Sequence, residues 1–327
     1  MQHRPFRALD RSVSEIGVGT WQLGSEWAHV EDGEALAILD AAHAAGIDFF
    51  DTADIYGAGR SESLVGAFLR RATPRPVVAT KLGRRADPGW PQNFTLPVMR
   101  AHVEDSLRRL GVDALDLLQL HCVPPAELVR GEVFAHLRQL QDEGKIRAFG
   151  ASVESVAEAR TCLLQEGLAS LQVIFNVLRQ TPAEALLAEA ERRGVAVIVR
   201  LPLASGLLAD KFTVDTVFGP DDHRAFNRGG KVFHAGETFA GLPYEQGLAL
   251  VAELRGHVPA GWSMADFAQR WILDHAAVTT VITGCSRREH APANASASSL
   301  PPLSARVHDE LRAWWRERVR PAIAGND

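Results

Sequence analysis

An acid and a phenol stand five residues apart where a short apolar run ends, in Phe49-Phe50-Asp51-Thr52-Ala53-Asp54-Ile55-Tyr56-Gly57. Tyr56 is one of only two tyrosines in the chain. Two further apolar runs also end on a titratable group: Val77-Val78-Ala79-Thr80 delivers Lys81, and Leu117-Leu118-Gln119-Leu120 delivers His121. An unperturbed phenol titrates near ~10, so alone it is a poor acid or base at neutral pH. A lysine ammonium within a few ångströms favours the phenolate and lowers that value. Asp51 can fix Lys81 as an ion pair, and His121 can hydrogen-bond whatever oxygen Tyr56 addresses. Such a set suits protonating an oxygen on which negative charge develops, as carbonyl reduction requires when a cofactor supplies hydride. The same residues also admit a structural reading: an ion pair at a barrel rim, a hydrogen-bonded core histidine and a tyrosine packed in a loop.

Strand and helix patterns alternate along nearly the whole chain and set where these groups stand. Strand-like runs are expected at Ile16–Trp21, Ile47–Phe50, Val77–Thr80, Leu115–Leu120, Ile146–Ala151, Leu171–Phe175, Val195–Leu201 and Val278–Thr283. Between them lie helical patterns, with Asp32 and Ser61 as candidate caps, Thr95 opening a helix and Gly46, Gly111 and Gly144 as stops. The rhythm breaks only at 209–243, a long aperiodic stretch of the kind that is usually functional or disordered. Eight strands each followed by a helix predict a (β/α)8 TIM barrel, in which chemistry belongs at the carboxyl ends of the strands. Asp51, Lys81 and His121 all fall there. One barrel domain over 1–327 is expected, with a C-terminal helix at 304–320 outside the repeat.

Composition narrows the partners. A net charge of -5 and a pI near 6.2 leave no basic field for nucleic acid. The apolar stretches are far short of a membrane span, and the N-terminus lacks the apolar core of a signal peptide. Cys122, Cys162 and Cys285 are odd in number and lack metal-type spacing, so the expectation is no metal and a reducing cytoplasm. Asp221, Asp222 and His223 resemble metal ligands, but adjacent placement argues against that use.

Taken together, Gly19-Thr20-Trp21, Asp51-Thr52-Ala53 with Tyr56-Gly57, Thr80-Lys81 and Leu120-His121 resemble the aldo-keto reductase superfamily from about Arg4 to Asn294. The resemblance implies a barrel closed at its bottom by an N-terminal β-hairpin, and NADPH-dependent reduction of aldehydes and ketones. Tyr56 would be the general acid, tuned by Lys81 and Asp51, with His121 orienting the carbonyl. Substrates would be small aldehydes, ketones or sugar-like carbonyls, and relatives span monomers to homo-oligomers.

The cofactor side is implied in the same way. The run Gly57-Ala58-Gly59-Arg60-Ser61-Glu62 has Glu62 where a dinucleotide fingerprint needs its third glycine, so binding falls to the barrel loops. Gly150-Ala151-Ser152-Val153 resembles the family's carboxamide-binding segment, with Val153 in place of asparagine. Gln172, opening the sixth strand, matches the family's carboxamide-binding glutamine, and Asn176 matches a nearby asparagine. Leu201 to Leu208, with Leu203, Ser205, Gly206 and Leu207, resembles the pyrophosphate loop, and Lys211 matches a frequent family lysine. Gly284, Ser286, Arg287, Arg288, His290 and Asn294 resemble the segment that grips the adenosine half, with Ala293 replacing an acidic residue. Arg287 and Arg288 suit a 2′-phosphate, which favours NADPH over NADH, although a solvated basic helix end is the plainer alternative.

Arg200 occupies the position where relatives stack an aromatic ring on the nicotinamide. A guanidinium can also stack, and its positive charge would favour the reduced cofactor, so Arg200→Trp should shift the bound reduction potential. Trp21, read as ending the first strand, would wall the substrate site. Trp90, Trp27 and Phe94 lie in loops on the same face. Beside the reductase reading stand two others: a nucleotide-binding regulatory or scaffold member of the superfamily, and an unrelated barrel hydrolase using Asp51 and Asp54. The four polar groups favour the first, and the two aspartates are too close in sequence to oppose each other across a scissile bond.

Overall fold

A computed structural model describes residues 1–24, 30–220, 222–227 and 234–323. The hairpin β1 (His3–Phe6) and β2 (Arg11–Ser14) pairs antiparallel. Eight parallel strands then close a barrel: β3 (Ile16–Gly19), β4 (Phe49–Asp51), β5 (Val77–Leu82), β6 (Leu115–His121), β7 (Ile146–Ser152), β8 (Leu168–Ile174), β9 (Ala196–Arg200) and β10 (Val278–Gly284). Neighbours in the barrel are neighbours in sequence, and β10 closes on β3. This is the (β/α)8 barrel that the alternating pattern predicts.

Two apolar layers hold it. Outside the strands, helix faces pack Ile38, Leu39, Phe68, Val103 and Leu137 against the sheet, all fully or almost fully buried. Inside lies a smaller cluster of Phe49, Val77, Ala79, Leu117, Ala148, Ile198 and Ile282, floored by Phe6 and Val13 of the hairpin. Arg4 ties that floor in place by donating to the carbonyls of His275 (3.1 Å) and Val278 (2.7 Å) and pairing with buried Glu15 at 2.8 Å.

Several boundaries differ from the sequence reading. β3 stops at Gly19, and Trp21 opens a short helix, Trp21–Gly24, instead of ending the strand. β8 starts at Leu168, so Gln172 lies near the carboxyl end of its strand, not at its opening. Asp32 is the first residue of helix Asp32–Ala44 and pairs with Arg60 at 2.5 Å. Ser61 lies inside helix Arg60–Leu69, where its hydroxyl serves tertiary contacts instead of a cap. Gly111 does stop helix Leu96–Leu110, in the left-handed conformation at φ 68°. Within 209–243 the described residues form short turns and one brief helix, His223–Phe226. Helix Ala305–Trp314 runs on through Trp315–Val319, and the Trp315 indole donates to Leu178 O at 3.1 Å.

Candidate active site

Side chains alternate across a strand, so every second residue faces the barrel axis. That parity stacks a polar layer directly on the apolar one. Phe49 is followed by Asp51, Ala79 by Lys81, Leu117 by Gln119 and His121, Ser170 by Gln172, and Ile198 by Arg200. Register then brings the layer together: Lys81 pairs with Gln119 across β5 and β6, His121 with Ser152, and Ser152 with Gln172.

Lys81 is the hub. Its ammonium, 1 % exposed, binds the Asp51 carboxylate, Thr52 O at 2.8 Å and the Tyr56 hydroxyl at 3.3 Å. Asp51, 2 % exposed, also accepts from the amides of Gln172 (2.8 Å) and Gln119 (3.1 Å) on its other oxygen. The His121 ring stands edge-on to Tyr56 with centroids 5.8 Å apart. The structure therefore brings all four residues together. It also adds Gln119, which sequence reasoning missed although it shares the inward parity of His121.

Protonation follows from burial. Burial of the Tyr56 hydroxyl raises its pKa above the usual tyrosine value, Lys81 opposes this, and Asp51 reinforces it. Lys81 pulls the phenol's pKa down, as its charge predicts, but desolvation outweighs the ammonium, so the net shift is upward and Tyr56 keeps its proton. Burial works against charge on Lys81, yet Asp51 and Tyr56 hold its pKa above the ordinary value. His121 is driven well below its usual pKa by burial and by the charges of Lys81, Arg84 and Arg200, which leaves it neutral. Its buried Nδ1 has no hydrogen-bond partner.

A dense support fixes the Asp51–Tyr56 segment. Thr20 and Thr52 hydroxyls meet Ser61 Oγ at 2.7 and 2.9 Å, joining β3, the post-β4 loop and the following helix. Gly57 sits at φ 58° against Gly24, and a Cβ there would fall 2.1 Å from the Gly24 carbonyl oxygen, so no other residue fits. Asp54 pairs with Arg85 at 2.8 Å, whereas Asp51 pairs with Lys81. The two aspartates thus serve different cations, which removes the hydrolase reading.

A cavity of about 620 Å³ runs from Asp51 and Tyr56 across the barrel mouth to Asn294. Trp21, Gln172, Arg200, Leu201, Leu203, Ser205, Gly206, Lys211, Gly284, Ser286, His290 and Asn294 line it, as the resemblance implies. Lys81, His121 and Asn176 lie behind this lining, and five further residues expected to hold the cofactor or wall the pocket do not line it. Ser152 lies beneath the surface, 3.4 Å from Gln172 Oε1, and Leu207 is buried in the core. Arg288 is paired with Glu34 at 2.9 Å, Arg287 is an exposed neighbour, and Trp90 is 50 % exposed on its loop. Asn176 supports the site from below by donating to Leu201 O at 2.9 Å. Trp27, Asp221 and Arg228 lie outside the described residues.

The cavity's donor set fits an extended dinucleotide. Leu201, Ala204, Ser205 and Gly206 all have positive φ (55°, 47°, 57° and 98°), a run that turns backbone N–H groups into an anion-binding concavity. The Ser205 hydroxyl itself is engaged elsewhere, donating to Glu237 O at 2.9 Å and accepting from Phe239 N–H at 3.3 Å. The long loop is thereby anchored to this turn. Its His223 ring lies tilted by 42° against Trp21 with centroids 5.0 Å apart, and Arg224 pairs with Asp222 at 2.5 Å while covering the Phe218 ring.

Arg200 is not the bare cation expected from sequence. Its guanidinium pairs with Glu237 at 2.5 Å and donates to Val153 O at 3.0 Å. Cys122, Glu154 and Glu237 bring ligand atoms within 4.8 Å of one another. Arg200 already engages both Glu237 and the Cys122 sulfur, so a guanidinium occupies the place a metal would take between these donors. Glu237 gave no signal in the sequence because it sits in an aperiodic stretch.

A closed eight-stranded β/α barrel with polar groups at the carboxyl ends of its strands and an elongated cleft beside them is a TIM barrel with a site where that fold carries its chemistry. The aldo/keto reductase family model matches residues 15–316, and the chain belongs to that family. Among curated proteins it is 30 % identical over 320 residues to the NADH-specific methylglyoxal reductase of Escherichia coli, covering 92 % of this chain and 94 % of the other. Among solved structures it is similar to an aldo-keto reductase of Bacillus halodurans in its holo form, with 28 % identity, a TM-score of 0.78 and coverage of 99 % and 98 %. The apo form of that protein gives 0.70. The glycerol dehydrogenase of Gluconobacter oxydans follows at 27 % identity, a TM-score of 0.77 and the same coverage.

Proposed function

We propose that this member of the aldo/keto reductase family reduces a small aldehyde or ketone to the alcohol with NADPH, Tyr56 giving the proton. The carrying observation is that the Tyr56 hydroxyl, on Lys81 at 3.3 Å, lies at one end of the cavity that continues to Asn294. A bound nicotinamide supplies the hydride. Tyr56, held protonated by burial, delivers its proton to the carbonyl oxygen as charge develops there. Lys81 stabilises the phenolate left behind, and Asp51 with Gln119 and Gln172 keeps that ammonium in place. Neutral His121 offers a ring N–H that orients the carbonyl.

Arg200, Gln172, the 201–206 turn, Lys211, Gly284, Ser286, His290 and Asn294 would hold the cofactor along the cavity. Arg287, which has no ion-pair partner among the described residues, and Lys211 support a 2′-phosphate and hence NADPH. The pairing of Arg288 with Glu34 takes one expected cation away, and the Escherichia coli relative is named as NADH-specific. Three buried unpaired cysteines accord with a reducing cytoplasm, and no helix among the described residues is long and apolar enough to cross a membrane. Parallel assays with NADPH and NADH against aromatic aldehydes, sugars and ketones test the reading. Faster oxidation of NADPH with at least one carbonyl is expected. Preference for NADH would overturn the cofactor assignment, and no turnover with either would overturn the activity and favour a regulatory role.

A further inference from the structure

Arg200 and Glu237 form the most buried ion pair at the cavity wall that the proton-delivery residues do not account for. Arg200 ends β9 on the inward parity, and its charge is felt at both Tyr56 and His121. Arg200 and Tyr56 line the same cavity, so a hydride donor lying in it beside Tyr56 has Arg200 in its wall. A nicotinamide ring is neutral when reduced and cationic when oxidised. An unpaired guanidinium there would penalise the oxidised form alone.

Glu237 meets that guanidinium at 2.5 Å, and its own placement is built in. It ends the turn Ala235–Glu237, where Gly236 N–H donates to His234 Nδ1 at 3.1 Å. Its carbonyl accepts from Ser205 at 2.9 Å, on the turn with positive φ. Burial alone would favour a neutral Glu237, yet Arg200 holds its pKa below the usual glutamate value. The other charged groups facing the pair are Glu154, Arg84 and His234.

We propose that Glu237 balances the charge of Arg200 beside the nicotinamide, so that the cofactor is held with little bias between its oxidised and reduced forms. The inference rests on the nicotinamide reading above and assigns Glu237 as a positioning residue acting through Arg200. It predicts effects of opposite sign from the two partners, which a merely structural role would not give.

The test is equilibrium binding of NADP+ and NADPH, followed by fluorescence, to wild type, Glu237→Gln, Arg200→Gln, the double variant and Glu237→Asp. The quantity read is the ratio of the NADP+ to the NADPH dissociation constant. Glu237→Gln leaves the guanidinium unpaired and should raise the ratio on the order of tenfold. Arg200→Gln leaves the carboxylate and should lower it by a similar factor. The double variant and Glu237→Asp should stay near wild type. Shifts of the same sign, or an unchanged ratio in both single variants while binding persists, would overturn the charge-balance role and leave the reductase reading standing. Wild type that binds neither these forms nor NAD+ and NADH would overturn both. Should Glu237→Gln fail to fold, the Arg200→Gln arm still decides the sign.

Discussion

From β3 to β6 the barrel mouth is furnished by residues on strands or one turn beyond them, whereas from β9 to β10 it is furnished by the described residues between 201 and 243, which lie outside the strands. In the first region position is inherited from the pleat and register of the sheet. Asp51, Lys81 and Gln119 are buried, and each is bound by at least one other member of the layer. In the second region position comes from loop-to-loop contacts: Ser205 with Glu237 and Phe239, Arg200 with Glu237, and His223 against Trp21. The contrast suggests a division of labour: proton delivery needs fixed distances between titrating groups, while a long cofactor needs a surface that can be laid over it.

If that division is right, damage to the first region should abolish turnover while leaving cofactor binding intact. Lys81→Met is the harshest case. It leaves Asp51 buried without its cation, which costs about 3–5 kcal/mol of stability in denaturant unfolding. Turnover in the surviving folded enzyme should fall roughly 10²–10⁴-fold, with the NADPH dissociation constant within about threefold of wild type. Equal loss of binding and turnover would break the comparison.

A smaller effect tests the ion network behind the Tyr56 loop. Burial, opposed by Arg85 and aided by Glu62, raises Asp54 from 3.8 to about 6. The folded state then binds a proton that the unfolded state has released, so stability falls as pH rises from about 4 to about 6 and is flat above. Asp54→Asn removes this dependence. Relative to wild type, the variant should gain about 3 kcal/mol between pH 4 and pH 7 in urea unfolding. A constant difference across that range would mean that Asp54 does not titrate there.

The same contrast governs what could be read from sequence. Asp51, Lys81 and His121 were legible because apolar runs announce strands, and the barrel fixes which strand ends meet. Gln119 was legible in principle, since it shares the parity of His121, but an amide inside an apolar run draws no notice. Gln172 is identified by resemblance, yet its place near the end of β8 is not legible, because the strand opens on Leu168-Ala169-Ser170, where the small residues give little strand signal. The direction of the Tyr56 shift was missed because sequence shows the neighbouring charge and not the depth of burial. Glu237 was out of reach: its partner lies 37 residues away, between 200 and 237, across a stretch with no period.

Whether Tyr56 gives the proton is decided by comparing wild type with Tyr56→Phe. Each is mixed with NADPH and a reactive aromatic aldehyde, and loss of NADPH absorbance is followed alongside NADPH binding. Turnover should fall at least roughly 10²-fold with binding unchanged. Turnover that survives the loss of the hydroxyl undiminished would contradict it.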